Sequence, residues 1–494
     1  MLKIEIDIKR KEENKMKKWL SVLLAAVMLL AMAGIAGAVD TPTGTITVGN
    51  LQKWEVVDLY QVIEMEFDEA KGQYNEVKWS DGIQAWINEK HTGMLPENAP
   101  TGNGDDAKNF YSDMYQYIME NSNRFKPVTL EMGEAKGASD FKNQKAGSYL
   151  IAVHGGANIH QPYLASLQPQ GNATTGLTLK DCTVDASQKS EKPKIEKSVN
   201  KIDIGVTKTV TFTITTTVPK YSEGAKDIKY WISDAMDSNL TFIEGTLKVK
   251  LDETPITEQG GYTKVEYKGT ASEGKKGLFT LQFDYDKIKD AQKITVTYDA
   301  EGSVAIVPGN GYENEATFEW TDGSDSKTQK VYTYGLIVEK KDKKTNDSLD
   351  GVEFELKQGE NADSLKFKKV GDIYKLAKKG EDGSSAILST VDGKIQIDGL
   401  ELGKYTLVET KPKDGYNSVA PETFELKADD NKPQKLSEDV DAYHQITVLN
   451  SKGMSIPSTG GMGTTIFMVA GIGVMACAVA ALMLVLKRQK KNEG

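Results

Sequence analysis

The sequence predicts a mainly β protein: β-sandwiches in tandem behind an α+β domain, framed by a secretory signal and a C-terminal transmembrane helix. Three observations carry this. Short alternating apolar–polar segments recur between Gly, Asp-Gly and Asn-Gly turns, at 209–217, 247–251, 278–283, 294–298, 316–320, 352–356 and 405–409. Such period-two runs between turn residues mark half-buried strands. Helical patterning is confined to the N-terminal region, at 79–88 and 107–121. The 494 residues leave room for about three domains at roughly 100–200 residues each.

Taken in chain order, Met16-Lys17-Lys18 gives a positive start, 19–30 an apolar run, and Ala36-Gly37-Ala38 a small-residue cleavage site. Those are the components of a secretory signal, so residues 1–38 are expected to leave the mature chain, with Met16 the better start. Breaks in composition at 187–193 (SQKSEKP) and 322–330 (DGSDSKTQK) divide the rest. They place an α+β domain at 39–190 and all-β domains at 191–334 and 335–452. Neither a sustained heptad nor a short fixed repeat is present. Residues 453–494 hold Ile456-Pro457-Ser458-Thr459-Gly460, then an uninterrupted apolar stretch at 466–486. That stretch is long enough to span about 30 Å of hydrocarbon. Lys487, Arg488, Lys490 and Lys491 follow and hold the tail inside.

Composition excludes several functions. The net charge of −10 opposes a nucleic-acid partner, because phosphate neutralisation needs basic clusters. His91, His154, His160 and His444 are scattered, and the two cysteines are Cys182 and Cys477. That inventory builds no zinc cage and no His-centred catalytic site, so neither a metal nor a cofactor is expected. The acidic turn Asp322-Gly323-Ser324-Asp325 lacks calcium-loop spacing. No nucleophile–base pair or phosphate-binding loop appears, so the chain is expected not to be an enzyme. Cys477 lies in the apolar span. The mature chain would hold Cys182 alone, and a secreted protein without disulfides needs another staple or a good core.

Alternation also points polar groups inward. Lys197 shares a strand face with Ile195 and Val199, Asp234 with Tyr230 and Ile232, and Asn314 with Tyr312, Ala316, Phe318 and Trp320. The third domain repeats the order: Lys340 goes with Leu336 and Val338, Glu409 with Tyr405 and Leu407, Asn450 with Ile446 and Val448. Burial of such groups is costly unless they satisfy one another. Desolvation lowers a lysine pKa and raises that of a carboxyl group. A neutral amine is then a nucleophile, and a protonated acid can polarise the Asn carbonyl. Attack with loss of ammonia leaves a Lys–Asn amide, driven by proximity rather than turnover. For any one of these residues, an ordinary solvated strand position is the competing reading; two triads in one order weigh against it.

Several motifs carry a family resemblance. Tyr405-Thr406-Leu407-Val408-Glu409-Thr410-Lys411-Pro412, with Val338-Glu339-Lys340-Lys341-Asp342 and Val448-Leu449-Asn450, resembles collagen-adhesin B-type (CnaB-like) domains. The resemblance implies an intramolecular isopeptide bond from Lys340 to Asn450, with Glu409 as catalytic acid. The segments 192–197 (KPKIEK) and 232–242 (ISDAMDSNLTF), with Asn314-Glu315-Ala316, resemble the central domain of Gram-positive backbone pilins. They imply the corresponding bond between Lys197 and Asn314 with Asp234 as acid. The ending Ile-Pro-Ser-Thr-Gly, apolar span and basic tail resembles the sorting signal of sortase substrates, with Ile456 in place of the usual Leu. It implies cleavage between Thr459 and Gly460 and transfer of the Thr459 acyl group to an amine.

Over nearly its whole length the chain resembles a sortase-assembled Gram-positive major pilin (fimbrial backbone subunit). This implies immunoglobulin-like (CnaA/CnaB-like) sandwiches and a covalent surface fibre on the cell wall. The implied partners are pilin-specific and housekeeping sortases, other copies of the chain, minor pilins, peptidoglycan and host or cell-surface ligands. The family's intersubunit acceptor, a Lys in a Tyr-Pro-Lys-Asn motif, falls on Lys189 in Asp185-Ala186-Ser187-Gln188-Lys189-Ser190, where Tyr, Pro and Asn are missing. Lys180, Lys192 and Lys194 compete for that role. The alternative reading is a monomeric wall-anchored adhesin or pilus-base subunit, which needs no such lysine.

Overall fold

The computed structural model describes residues 40–453, apart from 102–103, 173–175, 360–361, 379, 431 and 438–440. The signal segment, Thr459, Gly460 and the apolar span lie outside the described residues. No helix among the described residues is long and apolar enough to cross a membrane. The architecture is mainly β, as the alternation predicts.

The N-terminal region is built on a sheet in which Val56–Asp68 lies between Gln73–Trp79 and Gly147–His154, continued by Tyr163–Asn172 and Gly176–Lys180. One face packs on a three-stranded sheet centred on Gly44–Leu51, burying Ile46, Val48, Leu59, Phe141 and Ile151. The other face carries the helices Asp81–Lys90 and Asp105–Glu120, which bury Ile83, Trp86, Phe110 and Met114 against Val62 and Leu150. Covered on both faces, Gly147–His154 is buried at every residue but the last, so its stretch 149–153 runs continuously apolar instead of alternating. The first helix starts two residues later than the periodicity predicts because Trp79 closes the preceding strand, pairing with Ile63.

In the central sandwich, the first sheet runs in the order Ile195–Val199, Thr209–Thr217, Lys293–Gly302, Lys248–Leu251, Thr254–Ile256. The facing sheet runs Tyr262–Val265, Lys275–Phe283, Tyr230–Asp237, Gly311–Trp320, Gly323–Tyr332. The compositional break at 322–330 is itself a strand: it forms most of Gly323–Tyr332, paired along its length with Gly311–Trp320. Its first six residues are exposed, and polar, charged composition is how an edge strand avoids further pairing.

The third sandwich pairs its first and last strands in parallel, Tyr334–Asp342 beside Tyr443–Asn450, with Lys340 opposite Val448 and Asp342 opposite Asn450. A second sheet holds Glu353–Gln358 and Gly403–Lys411. A continuous apolar core runs through the central and third sandwiches. The joint is also polar: Val206 N–H donates to Gly399 O (3.0 Å), Leu402 N–H to Asp203 Oδ2 (3.2 Å), and Lys201 pairs with Glu401.

Candidate functional site: two buried lysine–carboxyl–asparagine triads

In the central sandwich, Lys197 comes from the edge strand of one sheet, while Asp234 and Asn314 come from adjacent strands of the facing sheet. Period-two geometry sends all three side chains into the space between the sheets. The Lys197 and Asp234 side chains are fully buried, as is Asn314. Lys197 Nζ donates to Asp234 Oδ2 and to the Tyr298 hydroxyl (3.2 Å). Asn314 Nδ2 donates to the same hydroxyl at 2.6 Å. Above the amine lie the rings of Phe212 (5.4 Å) and Tyr298 (5.7 Å), which close it off from the surface. Burial pushes the Lys197 amine down, against the opposing pull of Asp234. It pushes the Asp234 carboxyl up, against Lys197. Both shifts favour the uncharged pair. Asp234 Oδ1 and Asn314 Oδ1 have no hydrogen-bond partner among the described residues, an arrangement costly to keep.

The third sandwich gathers Lys340 from its first strand, Glu409 from Gly403–Lys411 and Asn450 from its last strand. Lys340 is fully buried. Its Nζ donates to Val448 O at 3.0 Å and to Asn450 Oδ1, with Glu409 Oε2 at 3.6 Å. Asn450 Nδ2 donates to Glu409 Oε1 at 3.0 Å. Burial pushes the Lys340 amine down as well, against the pull of Glu409. Lys341 instead turns to Glu339 at 2.6 Å on the outer face. Each sequence-derived triad is therefore brought together, amine against acid. In each, a nucleophile, an acid and a carboxamide are held with the entropy of encounter already spent.

Tyr298 was not among the sequence candidates. It shares the inward face of Ile294, Val296 and Ala300, where alternation makes it look like core, and only its contacts with Lys197 and Asn314 set it apart. A second unforeseen polar pair lies in the N-terminal region, where the buried Glu55 Oε1 meets His160 Nε2 at 2.7 Å. Lys189 ends the short 3₁₀ turn Ala186–Lys189, and Ser190–Glu191 beyond it pairs with Ile159–His160. Its competitor Lys194 is paired with Glu191 at 2.8 Å. Among the described residues no group of three or more His, Cys, Asp or Glu side chains is placed to hold a metal.

Part of the chain matches a known family, and most of its length resembles a known surface protein. Residues 335–440 match the SpaA family, a prealbumin-like fold domain. The chain is 24% identical over 446 residues to the trypsin-resistant surface T6 protein of Streptococcus pyogenes serotype M6, covering 82% of this chain and 75% of that protein. Similar solved structures include the T6 backbone pilin of that organism, at 19% identity, 80% of this chain, 81% of the other and TM-score 0.39. The major pilin SpaD of Corynebacterium diphtheriae gives 19% identity, 85% of this chain, 100% of the other and TM-score 0.40. The family match and the curated relative support the resemblance to the sortase-assembled backbone pilins of Gram-positive bacteria.

Proposed function

We propose that the chain is the repeating subunit of a covalent cell-surface pilus, a structural role rather than an enzymatic one. The observation that carries the proposal is the pair of buried triads, each placing a lysine amine against a carboxyl group in an apolar interior. The neutral Nζ of Lys197 or Lys340 attacks Cγ of Asn314 or Asn450. The new N–Cγ bond replaces Cγ–Nδ2, one amine proton passes to the departing nitrogen, and ammonia leaves. Asp234 and Glu409 stand beside the amines as the acids of their triads, and each reaction occurs once per molecule. The amides take the structural role that disulfides play in other secreted proteins.

In this proposal three domains, at 39–190, 191–334 and 335–452, follow a cleaved signal. A pilin-specific sortase cuts between Thr459 and Gly460 and passes the Thr459 acyl group to Lys189 of another copy. A housekeeping sortase links the finished fibre to peptidoglycan, with minor pilins and surface ligands as further partners. Coexpression of the full chain with its sortases tests this directly. A ladder of covalent multimers that Lys189→Arg abolishes supports polymerisation through that residue. A ladder lost only on changing Lys180, Lys192 or Lys194 moves the acceptor. A single wall-linked species and no ladder favours the monomeric adhesin or pilus-base alternative.

A further inference from the structure

The two triads differ in one respect that points to an additional catalytic group. In the third sandwich the carboxylate lies beside both reacting nitrogens: Glu409 Oε2 is at ion-pair distance from Lys340 Nζ, 3.6 Å, without a hydrogen bond among the described residues, and Oε1 accepts from Asn450 Nδ2 at 3.0 Å. In the central sandwich the acid is Asp234, one methylene shorter, and its hydrogen bond in the triad is from Lys197. The carboxamide nitrogen of Asn314 meets the Tyr298 hydroxyl instead, at 2.6 Å. That same hydroxyl is 3.2 Å from Lys197 Nζ, so one phenol oxygen touches both the attacking and the departing nitrogen.

We propose that Tyr298 is a catalytic residue of the central domain, relaying the proton that leaves Lys197 to the departing nitrogen of Asn314. This rests on the reading that the Lys197–Asn314 amide forms. As Nζ bonds to Cγ, the amine gives up a proton to the phenol oxygen while the phenol O–H goes to Nδ2. The Cγ–Nδ2 bond breaks, ammonia departs, and the phenol is regenerated unchanged. Asp234, uncharged while the amine is neutral, keeps that amine oriented. The relay needs no free phenolate, in keeping with a hydroxyl that burial holds well above its ordinary pKa of 10.0. The ring is edge-on to Phe279 at 5.5 Å and tilted against Phe212 at 5.8 Å, which fixes the position of the hydroxyl. In the third domain the longer arm of Glu409 sets one oxygen on the departing nitrogen and the other at ion-pair distance from the amine, so the carboxyl group itself spans the two.

The test follows amide formation in the freshly folded ectodomain by time-resolved peptide mass spectrometry, reading the two domains separately. Tyr298→Phe keeps the ring and removes the hydroxyl. We expect the Lys197–Asn314 peptide to form about 10²-fold more slowly, as for loss of one general acid–base group. The Lys340–Asn450 peptide should form at the wild-type rate in the same molecules. A Phe variant that forms the central amide as fast as wild type overturns the relay. Fluorotyrosine at 298 preserves the shape while making the phenol more acidic. A changed central rate supports the relay even if the Phe variant folds poorly, and an unchanged one overturns it. Wild-type protein that forms no central amide overturns the underlying isopeptide reading instead, and that outcome is visible before any variant is compared.

Discussion

Replacing Lys340 with methionine isolates what an internal amide contributes to stability. Methionine keeps an unbranched apolar side chain in the same slot and leaves Asn450 donating to Glu409 at 3.0 Å, so the acid retains a partner. What disappears is the link between residues 110 apart in sequence. Closing a loop of that length in the unfolded chain contributes about 5 kcal/mol at 25 °C on the chain-entropy model of cross-links. The third sandwich shares a continuous apolar core with the central one, so the two are expected to melt as a unit of roughly 250 residues. At about 2–4 °C per kcal/mol for that size, the midpoint should fall by roughly 10–20 °C. Differential scanning calorimetry of the ectodomain measures it, with mass spectrometry establishing that wild type carries the link and the variant does not. Lys341→Met, on the outer face beside Glu339, is the matched control and should shift stability by under about 0.5 kcal/mol. A Lys340→Met midpoint within a few degrees of cross-linked wild type would refute the entropic argument.

Other predictions follow from particular contacts. Asp342 accepts from Thr345 N–H, the Tyr416 hydroxyl and Lys344 N–H, which hold its carboxyl down at about 2. A folded-state value below the ordinary 3.8 means the stabilisation is complete above about pH 4 and lost as pH falls through about 2. Thermal midpoints measured down that range should decline in wild type and decline less in Asp342→Asn. Amide formation in the central domain should be nearly flat across neutral pH. Burial lowers Lys197 and raises Asp234, and the neutral pair holds as many protons as the ion pair, so exchange within it is independent of bulk pH. Rates from stopped time points at about pH 6, 7 and 8 check this, and a steep rise toward alkali contradicts it. Gly335→Ala should destabilise the third domain by about 1–3 kcal/mol, seen in urea denaturation, because a Cβ there would stand 2.4 Å from the Tyr443 ring and 2.7 Å from Ile397 O.

Much of the two candidate sites was legible because β structure has a period of two. Once Ile195 and Val199 face inward, Lys197 must as well, and the same logic places Lys340 between Val338 and Asp342. The strand Thr209–Thr217 was equally plain, since one face is core and the other is threonine at the surface. Where that contrast fails, the sequence misleads. Gly323–Tyr332 shows only as a polar break in composition because an edge strand exposed along most of its length loses the apolar half of the pattern. Tyr298 was hidden for the opposite reason, since an aromatic residue in an apolar register is indistinguishable from core until its hydroxyl is located. The pairing of His160 with Glu55 joins positions 105 apart in sequence, and no local pattern encodes it.

The most direct test of the central claim is intact-mass and peptide mass spectrometry of the recombinant ectodomain, residues 39–455. Self-crosslinking predicts a deficit of two ammonia masses, with linked peptides joining Lys197 to Asn314 and Lys340 to Asn450. An unmodified mass contradicts it, and would leave both triads as buried, unlinked amine–carboxyl–carboxamide clusters in an otherwise ordinary chain of sandwiches.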